Sequence, residues 1–318
     1  MKRLLGAAAL VLVLAGCSSA PPAADAPPAA TATFPVTVTH SLGSTTIPAE
    51  PVRIVTLGPS DADAALALGV VPVAIHSRYG FERGVGPWAE AKLGTATPAV
   101  TGGRELSYEA IAAARPDLII NVTSSGERTE HDTLSRIAPT IALPAGAAPY
   151  SPRWQDSTRM IAQALGKQAD GDRLVTDTEA YLRRTATENP AFAGKTVTYL
   201  DVVSGESYVG GKEATVVTTM RELGFVNTPY VDELPASETQ SAVSAELLPR
   251  IDADVLLIYG FGSSPEEVLA GNVGLANLTS VKNGHAYFLP DLALSSPSVL
   301  SIPHGVDAML PFLRTATG

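Results

Sequence analysis

Cysteine is almost missing from this chain. Cys17 is the only one among 318 residues, so an internal disulfide framework is excluded. Positive charge is scarce as well, with 22 Lys and Arg against 32 Asp and Glu, a net of −10. That balance argues against nucleic acid and against an electrostatic grip on anionic lipid. Past the first sixteen residues, no apolar run approaches the roughly 20 residues of a spanning helix. Catalytic signatures are missing too: there is no G-x-S-x-G elbow, H-E-x-x-H pair or Walker loop. "GVGPWA" (Gly84 to Ala89) is a loose likeness of a dinucleotide fingerprint, but it does not directly follow a strand and has Pro87 inside it. Asp and Ser are plentiful without a spacing that selects a catalytic set. The five histidines, His40, His76, His131, His285 and His304, include no close pair of the kind that Zn or Mn sites use. The expectation is a binding protein: not an enzyme, with no resident cofactor and no directly bound metal.

What the chain does have begins with "MKRLLGAAALVLVLAG". Lys2 and Arg3 precede an apolar stretch too short for a permanent span, the pattern of an export leader over residues 1–16. "LAGC" then resembles the lipobox of bacterial lipoproteins. That resemblance implies lipidation of Cys17 and cleavage before it, so that acyl chains hold the protein to a membrane facing the periplasm or the cell exterior. The leader carries two basic and no acidic residues, so its loss takes the charge from −10 to −12. Residues 17–33 are rich in Pro and Ala and, after Cys17, lack large apolar side chains, which predicts a disordered tether.

About 285 residues follow, more than one hydrophobic core usually serves, so two compact units are expected. Short apolar runs alternate with helix-like segments in both halves. "RIVTL", "VVPVAI" and "LIINV" read as strands of the first half, and "KTVTYLDVV", "VLLIY" and "AYFL" as strands of the second. Helices alternating with strands give an α/β fold, with mainly parallel sheets covered on both faces. The boundaries drawn are an N-terminal lobe over 34–152, a helical interlobe segment over 153–189 and a C-terminal lobe over 190–318. After a break near Gly166, Leu174, Thr178, Tyr181 and Leu182 share one face, which predicts a helix over Gln168 to Glu188 about 30 Å long.

One phrase occurs twice. "LSYEAIAAARPD" before "LIIN" matches "VSAELLPRIDAD" before "VLLIY", with Ser107 and Ser244, Glu109 and Glu246, and Asp117 and Asp254 each 137 positions apart. In each copy the serine is placed to cap a helix, the glutamate falls in its first turn, and the aspartate closes it ahead of a buried strand. A glutamate at a helix start is ordinary capping when taken singly, and the repeat by itself indicates duplicated architecture.

Leader, tether, "RIVTLGPSDADAALALGVVPVAI", "SYEAIAAARPDLII", helical segment, "SAELLPRIDADVLLI" and "VKNGHAYFLP", in this order, resemble the siderophore, haem and cobalamin group of substrate-binding proteins of ABC importers. The resemblance implies two lobes joined by one long rigid helix, a monomer, and delivery of cargo to a permease dimer with its ATPase subunits. It also implies that one surface glutamate per lobe docks on the permease, roles that motif position gives to Glu109 and Glu246.

Open parallel sheets bind ligands beyond the carboxyl ends of their strands. The loops there supply Arg78, Tyr79, Phe81, Arg83, Trp88, Arg104 and Arg128 in the first half, and Tyr208, Lys212, Tyr259 and Phe261 in the second. Guanidinium groups gathered at one end of an acidic protein suit carboxylate or catecholate oxygens, so the expected ligand is anionic, and the resemblance implies that it is a ferric siderophore. Arg83, Arg104 and Lys212 match basic positions by which some relatives hold ferric catecholates, and Arg78 is an alternative to Arg83. Trp88 and Trp154 can equally be packing residues. The alternatives are a haem or cobalamin receptor, with His76, Tyr79 or Tyr259 as an iron ligand, and a lipid-anchored enzyme.

Overall fold

A computed structural model describes residues 33–318. The leader, Cys17 and the tether up to residue 32 lie outside the described residues. The chain starts with a hairpin of β1 (Val36–His40) and β2 (Gly43–Ile47). Five parallel strands follow: β3 (Ile54–Thr56), β4 (Ala74–Ser77), β5 (Ala99–Gly102), β6 (Leu118–Ile120) and β7 (Thr140–Ile141), ordered β5-β4-β3-β6-β7. The second sheet holds β8 (Thr196–Val203), β9 (Glu206–Gly210), β10 (Val226–Asn227), β11 (Gln240–Val243), β12 (Val255–Tyr259) and β13 (Ala286–Phe288). Its order is β11-β9-β8-β12-β13, with β10 also paired to β8.

The apolar runs become central strands because both faces of each sheet are covered. Along the first sheet Ile54, Leu118 and Ile120 enter one cluster, while Val55 and Ile119 enter another on the opposite face. The second sheet divides Val255 and Leu257 from Leu256 and Ile258 in the same way. Each such side chain contributes about 1.5–3 kcal/mol by leaving water.

Within the mainly parallel second sheet one strand, β9, runs antiparallel to both its neighbours, β8 and β11. Its origin is the two-residue turn Ser204-Gly205 between Val203 and Glu206. Both turn residues have positive φ, 53° and 83°, as a tight hairpin requires.

The duplicated phrase folds in two ways. Ser107 accepts a hydrogen bond from the Ala110 N–H and caps the helix Tyr108–Ala113, with exposed Glu109 in its first turn. Ser244 caps nothing. The second copy is a turn over residues 244–247 followed by the 3-10 helix Leu248–Ile251, and Glu246 stands exposed on the turn. Pro249 accounts for the difference, since it has no N–H for a helical bond and stands where the first copy has Ala112. What the copies share is the closing aspartate. Asp117 accepts from the Val52 and Arg53 N–H groups ahead of β3, and Asp254 accepts from the N–H and hydroxyl of Thr196 at the start of β8. Each carboxylate thus ties the strand it introduces to the strand paired beside it.

Between the sheets lie the helices Trp154–Ala164 and Gln168–Glu188, with Gly166 at φ 69° in the break. The first buries Ile161, Ala162 and Ala164 in the first core, while its leading Trp154 enters the second. The long helix sends Val175 and Leu182 into the second core, and Leu174 packs against both. The two helices nearly touch at one place. A Cβ on Gly171 would stand 2.3 Å from the Ala162 Cβ. Among the described residues no helix is long and apolar enough to cross a membrane.

Gly171→Ala therefore pits a gain in helix propensity of about 1 kcal/mol against overpacking of about 1–3 kcal/mol. We expect a net loss, read as a lower midpoint in thermal denaturation. Asp254→Ala should cost about 0.5–1.5 kcal/mol, because water only partly replaces the bonds lost by the exposed Thr196 donors. The Thr196 backbone N–H, foremost, holds the Asp254 carboxyl below its ordinary range. The loss should therefore be complete above the unfolded value of about 3.9 and should fade as pH falls through the lower folded one, which denaturant titrations at several pH values can follow.

Candidate functional site

The loops beyond the carboxyl ends of both sheets carry the aromatic surface of the molecule. Among the described residues the exposed aromatic side chains are Tyr79 (39%), Tyr150 (45%) and Phe261 (53%), and all three stand on such loops. Tyr150 and Phe261 hold φ of +57° and +49°, a left-handed backbone that bulky residues avoid. Strain of this kind persists where surrounding structure enforces it and gathers at binding sites.

The helix Asp61–Ala67 organises the first half of the site. Asp61 is fully buried and accepts from the N–H groups of Gly58, Val122 and Thr123, which joins the loops after β3 and β6. Gly58 is required there, since a Cβ would lie 2.6 Å from the Asp61 carboxylate. Two residues on, Asp63 Oδ2 accepts from Trp88 Nε1 at 2.6 Å and from Ser298 Oγ at 2.7 Å. Ser298 belongs to the segment leading into the last helix, Ser301–Thr317. Burial pushes both carboxyls up to about 6 against these hydrogen bonds. Trp88 also meets the His304 ring at 5.7 Å, so it is a packing residue between the halves, and His304 Nε2 lies 3.1 Å from Asp291.

After β4, the Arg78 guanidinium stacks over the Tyr150 ring at 4.7 Å, with no carboxylate within salt-bridge reach among the described residues. The Tyr79 hydroxyl crosses to Ser296 Oγ at 3.0 Å, and Tyr79, Phe81 and Trp88 follow one another edge to face. Arg83 is turned away from this row. Its guanidinium pairs with Glu90 and donates to the Gly94 and Ala96 carbonyls, which closes its own loop. Arg104 is exposed at the end of edge strand β5, and Arg128 opens the helix Arg128–Ser135.

In the second half, register places Tyr208, Asp201 and Tyr259 side by side across β9, β8 and β12. Paired residues share a face of the sheet, so the three side chains form one row. Asp201 is 9% exposed and accepts from Tyr199 Oη and Gln240 Nε2, each at 2.5 Å. Ser295 Oγ lies 3.3 Å from the Tyr199 hydroxyl, next to the Ser296 that meets Tyr79. Burial, with Tyr79, Asp201 and Asp291 nearby, raises the Tyr259 phenol, and Phe261 packs on that ring at 4.6 Å. Lys212 donates to the Asp232 carbonyl instead, and the Tyr208 hydroxyl to Glu206.

Sequence reasoning missed Tyr150, Tyr199, Asp201 and Gln240. Tyr150 obeys the same loop-after-strand rule that found the others, since it follows β7. Tyr199 and Asp201 lie inside a strand, and only its pairing shows that they end at the cleft. His76 is 5% exposed and bonds Thr101, with burial lowering its imidazole, so it is not presented as an open iron ligand. A cavity of about 680 Å³ flanks the site, lined by Ala147, Trp154, Thr215, Arg221 and Pro297 among others. None of the eleven loop residues named from sequence lines it.

The family described as "Periplasmic binding protein" matches residues 54–293. The protein named "Probable siderophore-binding lipoprotein YfiY" of Bacillus subtilis is 30% identical over 297 residues, covering 89% of this chain and 88% of that one. The crystal structure of Streptococcus pneumoniae PiaA in complex with ferrichrome is 28% identical with a TM-score of 0.76, covering 89% of this chain and 98% of that one. A periplasmic solute binding protein from Mycobacterium smegmatis gives a TM-score of 0.78 at 29% identity, covering 89% and 99%.

The buried Asp63 generates a pH signature. Its folded pKa, about 6, stands above the unfolded value of about 3.9, so on acidification the folded state takes up the proton first and this group stabilises the fold as pH drops through 6. Asn has no such dependence. The stability of Asp63→Asn relative to wild type should rise by about 1–3 kcal/mol from pH 4 to pH 7. A difference that stays flat across that range would contradict the assignment.

Proposed function

Because this chain belongs to the periplasmic binding protein family, we propose that it is an extracytoplasmic receptor that binds a ferric siderophore between its two halves and hands it to an ABC importer. The observation that carries this reading is the gathering of Tyr79, Tyr150 and Phe261, with Arg78, which meets no carboxylate among the described residues, on loops beyond the strand ends of both sheets. A ferric chelate presents a broad, partly apolar shell. Exposed rings held in place meet such a shell with little loss of side-chain freedom. In this reading lipidated Cys17 anchors the receptor, residues 34–152 and 190–318 act as the two lobes, and residues 153–189 hold them apart. The role is stoichiometric capture, with no covalent chemistry assigned to any side chain.

Glu109 and Glu246 are assigned to permease docking. Both are exposed, and each follows the serine of the duplicated phrase by two positions, so the twofold pseudo-symmetry of the receptor offers one carboxylate per permease subunit. Their local backbones differ, which is compatible with docking because the partner reads the charge and its position.

Two measurements test the proposal. Titration of intrinsic fluorescence with ferric trihydroxamate, tris-catecholate and citrate complexes, haem and cobalamin should give one-to-one quenching by a ferric chelate with Kd below about 1 μM. Tyr79→Ala, Tyr150→Ala and Phe261→Ala should each weaken that binding by roughly 10–100-fold. Response to haem or cobalamin alone, or turnover of any of these compounds, would overturn the reading. Separately, Glu109→Lys with Glu246→Lys should abolish cellular uptake while leaving Kd unchanged. Normal uptake by that double variant would remove the docking assignment.

A further inference from the structure

Asp201 is a buried carboxylate at the centre of the row Tyr208, Asp201, Tyr259. A chain of contacts links it to the cross-cleft bridge: Tyr199 bonds both Asp201 and Ser295, and the next residue, Ser296, meets Tyr79 from the other half. Its two donors, Tyr199 and Gln240, are neutral, and no cation stands within 4.0 Å among the described residues. The charge is therefore hydrogen-bonded but not neutralised, and a cargo that covers the floor of the cleft meets it in a medium that screens weakly.

The cations once available to offset it are few. Arg83 is spent on Glu90 and two carbonyls, Lys212 donates to Asp232 on the flank of the second sheet, and Arg104 is solvated at a sheet edge. Arg78 remains, stacked on Tyr150, together with Arg128, exposed at the start of its helix beyond β6, and neither has a carboxylate within salt-bridge reach among the described residues. On the acidic side Asp291 lies near Tyr259, in hydrogen-bond contact with His304 Nε2, and Glu206 holds the Tyr208 hydroxyl. Arg78 and Arg128 set against Asp201, Asp291 and Glu206 thus leave this group of charges one short of neutral, on the negative side.

We infer that Asp201 is a specificity-determining residue that selects a ferric chelate of neutral or positive charge, of the trihydroxamate class, and rejects the trianionic tris-catecholate class. A trianion would bring three negative charges beside Asp201 with two arginines, Arg78 and Arg128, to answer all of them. A neutral trihydroxamate brings no such conflict, and one that carries a free ammonium group gains a partner. The inference rests on the receptor reading above and stands as an alternative to the anionic cargo expected from sequence, which counted Arg83, Arg104 and Lys212 as ligand contacts.

The test is a ranking of three ferric probes against the whole protein: a linear trihydroxamate with a free amine, a neutral cyclic trihydroxamate and a tris-catecholate. Wild type should bind both trihydroxamates at least about tenfold more tightly than the trianion. Asp201→Asn, which keeps size and an acceptor oxygen, should weaken the amine-bearing probe by about tenfold and strengthen the trianion by a similar factor, with the neutral probe changed less than about threefold. A wild type that prefers the tris-catecholate overturns the inference while leaving the receptor reading intact. An equal shift of all three probes in the variant also overturns it. Failure of every ferric chelate to bind defeats the receptor reading itself. Should the variant melt early, the wild-type ranking decides alone.

Discussion

Everything in the cleft depends on carboxylates placed where water cannot reach them. A charge taken out of water is costly unless fixed donors replace its hydration, and Asp61 and Asp63 show two ways of meeting that demand. Asp61 is held by three backbone N–H groups and fastens two neighbouring loops of one sheet. Asp63 is held by a tryptophan and by a serine 235 positions away, and so fastens one half of the molecule to the other. Without the first the loops behind Tyr79 lose their backing, and without the second the bridge from Tyr79 to Ser296 loses its span. Burial raises both carboxyls to about 6, a sign that the enclosure is apolar enough to strain the charge it contains.

Much of the fold was legible in the sequence, and for identifiable reasons. The central strands stood out because burial on two faces leaves an unbroken apolar run, as in "VLLIY". The long helix appeared with the predicted limits because its spacing, the preceding Gly166 and the following Asn189-Pro190 agree. The hairpin at Ser204-Gly205 was also readable from its turn, yet its neighbours pass for a helix approach when the alternation of strands and helices is assumed. The second copy of the duplicated phrase misled because eleven positions look helical and one proline cancels them.

The candidate site was less legible. Sequence can place a side chain on a loop, but it cannot show what the side chain finds there. Arg83 illustrates this: its loop curls so that Glu90 and two carbonyls lie within reach, a matter of local backbone path that no spacing rule carries. Asp201 is the converse case. It sits mid-run in "TYLDVV", where a charged residue reads as a strand on its exposed face, and only the register with Tyr208 and Tyr259 shows that it ends beside the cleft. The duplicated aspartates Asp117 and Asp254 were found by repetition, though their task of fastening adjacent strand starts emerges only from their donors.

The left-handed backbones of Tyr150 and Phe261 carry one more consequence. Both rings are set in position by the chain itself, at a conformational cost already met when the protein folds. A cargo molecule arriving from solution has no loop to rearrange, so encounter and capture merge into one kinetic event whose speed is governed by diffusion and orientation. Departure likewise waits on no loop to open, so its pace is set by how quickly the contacts with the rings are given up.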